Sequence, residues 1–345
     1  MIGARHPLVQ LTLARFREFA RQPETVFWVF AFPLLLAIAL GIAFRNRPPD
    51  RVRIAIQAGA GADSLAARLA GARDLRVAVL DPAAAAAQLR TGRVALVVVP
   101  GDPVVYRFDS TRTESHLARL VTDDELQRAY GRRDPQAIRE VKITEKGARY
   151  IDFLLPGLLG MNLMGTGLWG VGFAVVSMRV RKLLKRLLAS PMRRSHLLLS
   201  FALARLATVV LEVAVLVAFG MAVFGVPLRG SVVSLAIVAL LGALTFSGIG
   251  LLVASRAQTE EGVSGLMNVV MLPMYVLSGS FFSSSNFPDL MQPFIKALPL
   301  TALNDALRAV MLDGSSLAAL GLPLAILAAW MVVSFAVALR IFRWL

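Results

Sequence analysis

No cysteine occurs anywhere in the chain, which excludes disulfides, thiolate metal sites and thiol nucleophiles and leaves redox chemistry silent about the compartment. Histidine is almost as scarce, at 3 residues. His116 has Asp109, Glu114, Asp123 and Asp124 near it in sequence, but nothing there has the paired spacing on one helical face that a metal site needs. No Ser-His, paired-aspartate or metal-histidine constellation falls within the apolar stretches, so an intramembrane enzyme is a distant reading. The chain has 5 lysines, none preceded by glycine. A P-loop needs Gly-Lys-Ser/Thr to cradle phosphates, so nucleotide hydrolysis has no seat here. Charge is thin as well: 17% of the 345 residues are charged and 57% are hydrophobic, with a mean hydropathy of +0.66. Soluble domains of this length are far more polar. The composition implies a polytopic α-helical membrane protein.

A hydrocarbon layer about 30 Å thick asks for roughly 20 apolar residues of helix. Largely uncharged runs place crossings at 25–44, 151–178, 230–255, 262–282 and 314–340. A sixth is expected at 197–225, apolar apart from Arg205 and Glu212. Six crossings put both termini on one side, together with Arg5, Arg15, Arg17, Arg21, segment 179–196, Arg256, Arg340 and Arg343. The positive-inside bias makes that side the cytoplasm, and a multi-pass cell (inner) membrane location follows. The net charge of +15 then needs no nucleic acid to account for it. In residues 1–24, Leu8, Leu11, Phe16 and Phe19 recur among arginines at roughly helical spacing, which favours an amphipathic helix in the inner leaflet over a plain flanking tail.

Between the first two crossings lies a soluble insertion, 45–150, opened by the breaker Asn-Arg-Pro-Pro-Asp. Segments 51–56, 75–80, 93–99 and 104–108 read as short strands, and 62–71, 82–91 and 111–130 as helices. A small α/β domain outside the cytoplasm is expected.

Polar groups inside the crossings are the candidates for transport. Glu212 would cost about 2.5–3.5 kcal/mol or more facing lipid, so it should face protein or a cavity. Arg205 shares its helical face but sits about 10 Å away along the axis, a separation that argues against a direct bond. A buried structural group and a polar point on a transport route both remain open for Glu212. Asp152 and Asn162 in the second crossing, and Asn268 and Tyr275 in the fifth, are further polar points. Met161, Met164, Met267, Met271 and Met274 offer either an adaptable lining or ordinary core packing. Gly160, Gly165, Gly167 and Gly170 suit close helix approach or a hinge. Segment 283–313, interrupted by Pro288, Pro293 and Pro299, suits short re-entrant helices at the outer leaflet, with Phe281 and Phe282 placed to close an exit.

Segment 179–196, RVRKLLKRLLASPMRRSH, holds seven basic residues and no acidic one. Leu183, Leu184, Leu187 and Leu188 recur at helical spacing while Arg181, Lys182, Lys185 and Arg186 take the other positions, and Ser190-Pro191 stops the pattern. This predicts a short amphipathic helix in a cytoplasmic loop. Anionic lipid, nucleic acid or a docking protein are its possible partners. Nucleic acid fits least, because no aromatic is interleaved to stack on bases.

DFLLPGLLGMNLM entering the second crossing, KRLLASPMRRSHLLLSFALARL leading into the third, and LSGSFFSSSNFPDLMQPFIKALPLTALNDALRAVMLDG after the fifth resemble the ABC-2 class of ATP-binding-cassette exporter permeases, over nearly the whole chain. That resemblance implies a permease subunit exporting a hydrophobic or amphipathic substrate. It implies a coupling helix, with Arg181, Lys182, Leu183, Leu184, Lys185, Leu187, Leu188 and Pro191, resting in a groove of a separate ATPase. ATP and magnesium would then belong to the partner, and this chain would hold no cofactor. It also implies a second permease copy, identical or related, and a substrate path between spans two and five. Asp152, Asn162, Met164, Glu212, Asn268, Met271, Tyr275, Phe281 and Phe282 are the residues placed on that path. The rival reading is a membrane-anchored binding or sensor protein that acts through its extracytoplasmic domain.

Overall fold

A computed structural model describes residues 7–44, 51–72, 74–133, 147, 149–183 and 194–342. The chain divides into two units, residues 46–143 and the remainder.

In the smaller unit, runs of valine and isoleucine form β1 (Val52–Gln57), β2 (Leu75–Leu80), β3 (Leu96–Val99) and β4 (Val105–Arg107). Their order in the sheet is β2-β1-β3-β4. β1 pairs in parallel with both β2 and β3, and β4 closes the edge antiparallel. Parallel neighbours need crossover connections, supplied by helices Ala62–Leu69 and Pro82–Arg90. Asp81 starts the second of these, its Oδ1 accepting the N–H groups of Ala83 and Ala84 at 3.0 and 2.9 Å, as an N-cap should. Because side chains alternate along a strand, the sheet has two different faces. Ile54, Ile56, Leu96 and Val98 pack with Leu65, Leu69 and Leu126, whereas Ala55 and Val97 pack with Ala85 under the helix Pro82–Arg90. Helix Thr113–Ala129 is tied to β4 where Tyr106 donates to Asp123 Oδ1 at 3.2 Å. Burial and that carboxylate push the phenol up to about 12, so it keeps its proton at neutral pH.

In the larger unit five helices are long and apolar enough to cross a membrane by length and composition, among the described residues: Pro23–Ala43, Tyr150–Val180, Leu203–Phe224, Val232–Ala254 and Leu317–Ile341. We number these crossings one, two, three, four and six, as in the sequence reading. The first opens on Pro23 with Glu24 in its first turn; proline loses nothing where the N–H would be unpaired, and a carboxylate suits the positive helix end. The fourth is capped by Ser231, whose hydroxyl accepts the Val233 N–H at 3.2 Å. Spans two and four form the centre of the unit: 56% and 61% of their apolar windows are buried, against 22% for the first and 17% for the last. A leading helix, Pro7–Ala20, packs on the third-span helix Arg194–Phe219.

The stretch 262–282 overlaps the helix Glu260–Leu277, 18 residues long, which is not among the five. It extends about 27 Å at 1.5 Å per residue and carries Glu260 and Glu261 in its first turn. Thr259 Oγ1 caps it by accepting the Gly262 N–H at 3.1 Å. The chain leaves it through Gly279 at φ +69°, a left-handed conformation that glycine adopts without steric cost.

Residues 283–313 form two single turns, Ser284–Asn286 and Asp289–Met291, then the helices Gln292–Ala297 and Pro299–Met311. The latter has 13 residues, about 20 Å of helix, too short to cross hydrocarbon. It is buried on most sides and packs against spans two, four and six.

Candidate functional site

Span two is braced by polar contacts at three heights, and these contacts are where the candidate residues meet. At its N-terminal end Arg149 and Asp152 interlock. Arg149 Nε and Nη2 donate to Asp152 Oδ2 and Oδ1 at 2.9 and 2.8 Å. Asp152 Oδ2 also accepts the N–H groups of Gly147 and Arg149, at 2.9 and 3.1 Å. The carboxylate, fully buried, thus closes orphan donors of the first helical turn. Arg149 further reaches the carbonyl of Gly225 at 3.3 Å, beyond the end of span three. Tyr150 donates to the Phe281 carbonyl at 2.9 Å, which holds the segment leaving the fifth helix. Arg308 adds a second clamp. Its guanidinium lies 3.8 Å from the Phe153 ring centroid and donates to the carbonyls of Phe153, at 3.4 Å, and Gly279.

Glycines let Ser280 and Asn304 approach span two here. A Cβ at Gly157 would strike the Ser280 carbonyl, and one at Gly160 the Asn304 amide oxygen. Asn304 in turn donates to the Ser278 carbonyl and the Ser280 hydroxyl at 2.9 and 3.0 Å. Lower down, Gly167 and Gly172 meet Phe246, Ser247 and Gly250 of span four. Of the predicted run, Gly160 and Gly167 thus serve close approach, whereas Gly165 has only ordinary contacts and a Cβ at Gly170 would meet nothing within 4 Å.

At mid-height Arg205 and Glu212 of span three are bonded directly, Nη1 to Oε1 at 2.6 Å. This corrects the expectation that 10 Å of axial separation would keep them apart. Seven residues are nearly two turns, so both side chains share one face, and an extended arginine reaching toward a glutamate spans the distance. Thr166 of span two completes the cluster. It accepts from Arg205 Nη2 at 2.5 Å and donates to Glu212 Oε2 at 3.1 Å. Arg205 and Glu212 are 7% and 1% exposed, so a buried pair joins spans two and three. Four residues earlier Asn162 donates to the Val29 carbonyl of span one at 3.1 Å. That carbonyl would ordinarily bond the N–H four residues on, but Pro33 stands there and has none; the asparagine supplies the missing donor.

At the C-terminal end of span two Arg179 donates to the carbonyls of Ala254 and Ser255, at 3.0 and 3.3 Å, and of Ala257. These are last-turn and following carbonyls of span four, where a helix presents unpaired acceptors and negative potential. Charge counting alone assigned Arg179 to the basic loop and missed this role. The helix then stops, with Lys182 at φ +55°. Arg181, Lys182 and Leu183 are exposed; Leu184, Lys185, Leu187, Leu188 and Pro191 lie outside the described residues.

The remaining candidates lie on or after the fifth helix. It turns Val263, Met267, Met271 and Met274 inward and Leu266, Val269, Leu272 and Val276 outward. Met271 accepts a hydrogen bond from Trp169 Nε1 at 3.2 Å and shares the core with Met164. The inward methionines pack within this single chain. Asn268 is exposed and Tyr275 half-buried. Phe281 is half-buried, while Phe282 is exposed, its ring 5.9 Å from that of Phe287. Among the described residues no group of His, Asp and Glu is arranged to hold a metal ion.

Comparison with known proteins bears on this architecture. A family model described as "ABC-2 type transporter" matches residues 112–312. Nodulation protein J of Rhizobium meliloti is 32% identical over 110 residues, covering 32% of this chain and 41% of that protein. Nodulation protein J of Bradyrhizobium diazoefficiens is 35% identical over 107 residues, covering 31% and 40%. The chain thus spans about two fifths of the length of these relatives.

Proposed function

The chain belongs to the ABC-2 type transporter family, and from that premise we propose that it is the permease subunit of an exporter driven by a separate ATPase. It is a membrane transport component. The finer reading is that it crosses the membrane six times, with the helix Glu260–Leu277 as the fifth crossing and both termini in the cytoplasm. The 46–143 unit then lies outside, and a second permease copy, identical or related, completes the pathway. The substrate is hydrophobic or amphipathic, because the spans offer an apolar route with few polar points.

The observation that carries this reading is the segment 179–196. It is strongly basic, it joins two spans, and it lies in a sequence in which no lysine follows a glycine as a P-loop requires. The bracing of span two supports the same reading. Arg179, the Arg205–Glu212–Thr166 cluster and the Arg149–Asp152 clamp tie span two to its neighbours along its length, which offers a route for force from its inner end to the re-entrant segment at the outer end.

The test is reconstitution of this chain with its cognate nucleotide-binding subunit in lipid vesicles. The two are expected to co-purify, and ATP hydrolysis is expected to rise several-fold over the ATPase alone. Absence of both effects would favour a membrane-anchored sensor acting through the 46–143 unit.

A further inference from the structure

The 46–143 unit contains an open pocket of about 370 Å³ that is lined, among the described residues, by three arginines and no carboxylate. Arg53 on β1 and Arg76 on β2 are register partners on adjacent parallel strands, about 4.8 Å apart across the ladder. Arg93 follows the helix Pro82–Arg90 and is held there by its N–H, which donates to the Gln88 carbonyl at 2.9 Å. Ile54, Ala78, Gln88 and Val94 also line it.

Like charges set side by side on neighbouring strands repel, and no carboxylate among the described residues pairs with them. Elsewhere in this unit Arg112 pairs with Asp109, and Arg128 and Arg132 pair with Asp124. No ion pair or side-chain hydrogen bond engages Arg53, Arg76 or Arg93 among the described residues. The C-terminal end of the helix Pro82–Arg90 provides about half a negative charge at most, against three full positive ones.

The structure assigns this pocket to the binding of a phosphate group. Three guanidinium forks exceed what one planar carboxylate can satisfy, whereas a tetrahedral phosphate offers enough oxygens, and enough charge, to face all three. Gln88 adds an uncharged donor, and Ala78 and Val94 leave an apolar flank for whatever carries the phosphate. The carrier is either a lipid headgroup or a soluble phosphate. The inference is independent of the transport reading, since it rests on the smaller unit alone.

Phenylglyoxal, which modifies accessible guanidiniums, tests it on the full-length chain, with the extent of reaction at each arginine read by mass spectrometry. In nonionic detergent, millimolar inorganic phosphate is expected to slow modification of Arg53, Arg76 and Arg93 about tenfold relative to chloride of equal ionic strength, and to leave exposed Arg90 unchanged. The same comparison is made in phosphatidylcholine nanodiscs with and without phosphatidylglycerol. Protection by inorganic phosphate identifies a free phosphate as ligand; protection only with phosphatidylglycerol identifies a headgroup. Arg76→Gln, at an exposed strand position, should abolish protection at Arg53 and Arg93. Equal rates in every condition, slowing shared equally by Arg90, or protection that survives Arg76→Gln would overturn the assignment.

Discussion

Replacing Arg205 by leucine should destabilise the protein by about 3–5 kcal/mol, because it leaves Glu212 buried without its counter-charge. Glu212 is 1% exposed, and its remaining partner would be the Thr166 hydroxyl. Glu212→Leu should cost a similar amount for the mirror reason, since Arg205 is 7% exposed. The double variant Arg205→Leu/Glu212→Leu removes both charges together and should recover most of the loss, as buried pairs replaced by apolar groups of similar volume commonly do. Thermal unfolding in detergent of the two single variants and the double variant measures the coupling. Additive losses would show that the two groups act separately. Glu212→Gln addresses the remaining question of role. It keeps the shape and one acceptor, so a drop in transport larger than the drop in folded yield would place the pair on the substrate's route.

The second large effect is expected in the basic loop. Leu184→Asp/Leu187→Asp removes two side chains, each contributing about 1.5–3 kcal/mol when buried against a partner, and puts charge in their place. ATPase affinity should fall at least about a hundredfold. The segment is not one of the apolar spans, so the amount of inserted protein should be unchanged. Co-purification with the nucleotide-binding subunit, normalised to the inserted chain, measures the effect. Undiminished recovery would remove the docking role from this segment.

The spans and the insertion were legible because hydropathy and strand alternation are properties of the chain in one dimension. Five crossings and the four strands follow from those patterns directly. The polar contacts were less so, because they depend on what each side chain meets in another element. Arg205 and Glu212 were separated by counting axial rise alone, which leaves out the reach of two long side chains along one face. Arg179 looked like one more loop cation, since nothing in its neighbourhood reveals that the end of span four lies beside it. Asn162 could be recognised as polar in an apolar helix, yet its role depends on Pro33, 129 positions away, which withholds an N–H from Val29. The helix Glu260–Leu277 falls short of the apolar length expected of a fifth crossing because Glu260 and Glu261 belong to its first turn, and a run counted from Gly262 does not show that.

A chain without cysteine allows the central claim to be tested by single introduced thiols. Lys185→Cys marks the basic loop and Asp63→Cys the inserted unit, each reacted with a membrane-impermeant maleimide in intact cells and in inside-out vesicles. Asp63→Cys should label in intact cells. Lys185→Cys should label only in inside-out vesicles, and more slowly once the ATPase subunit is bound. Labelling of Lys185→Cys in intact cells, with Asp63→Cys reacting only in inside-out vesicles, would contradict the topology and the proposed entry point for energy at once.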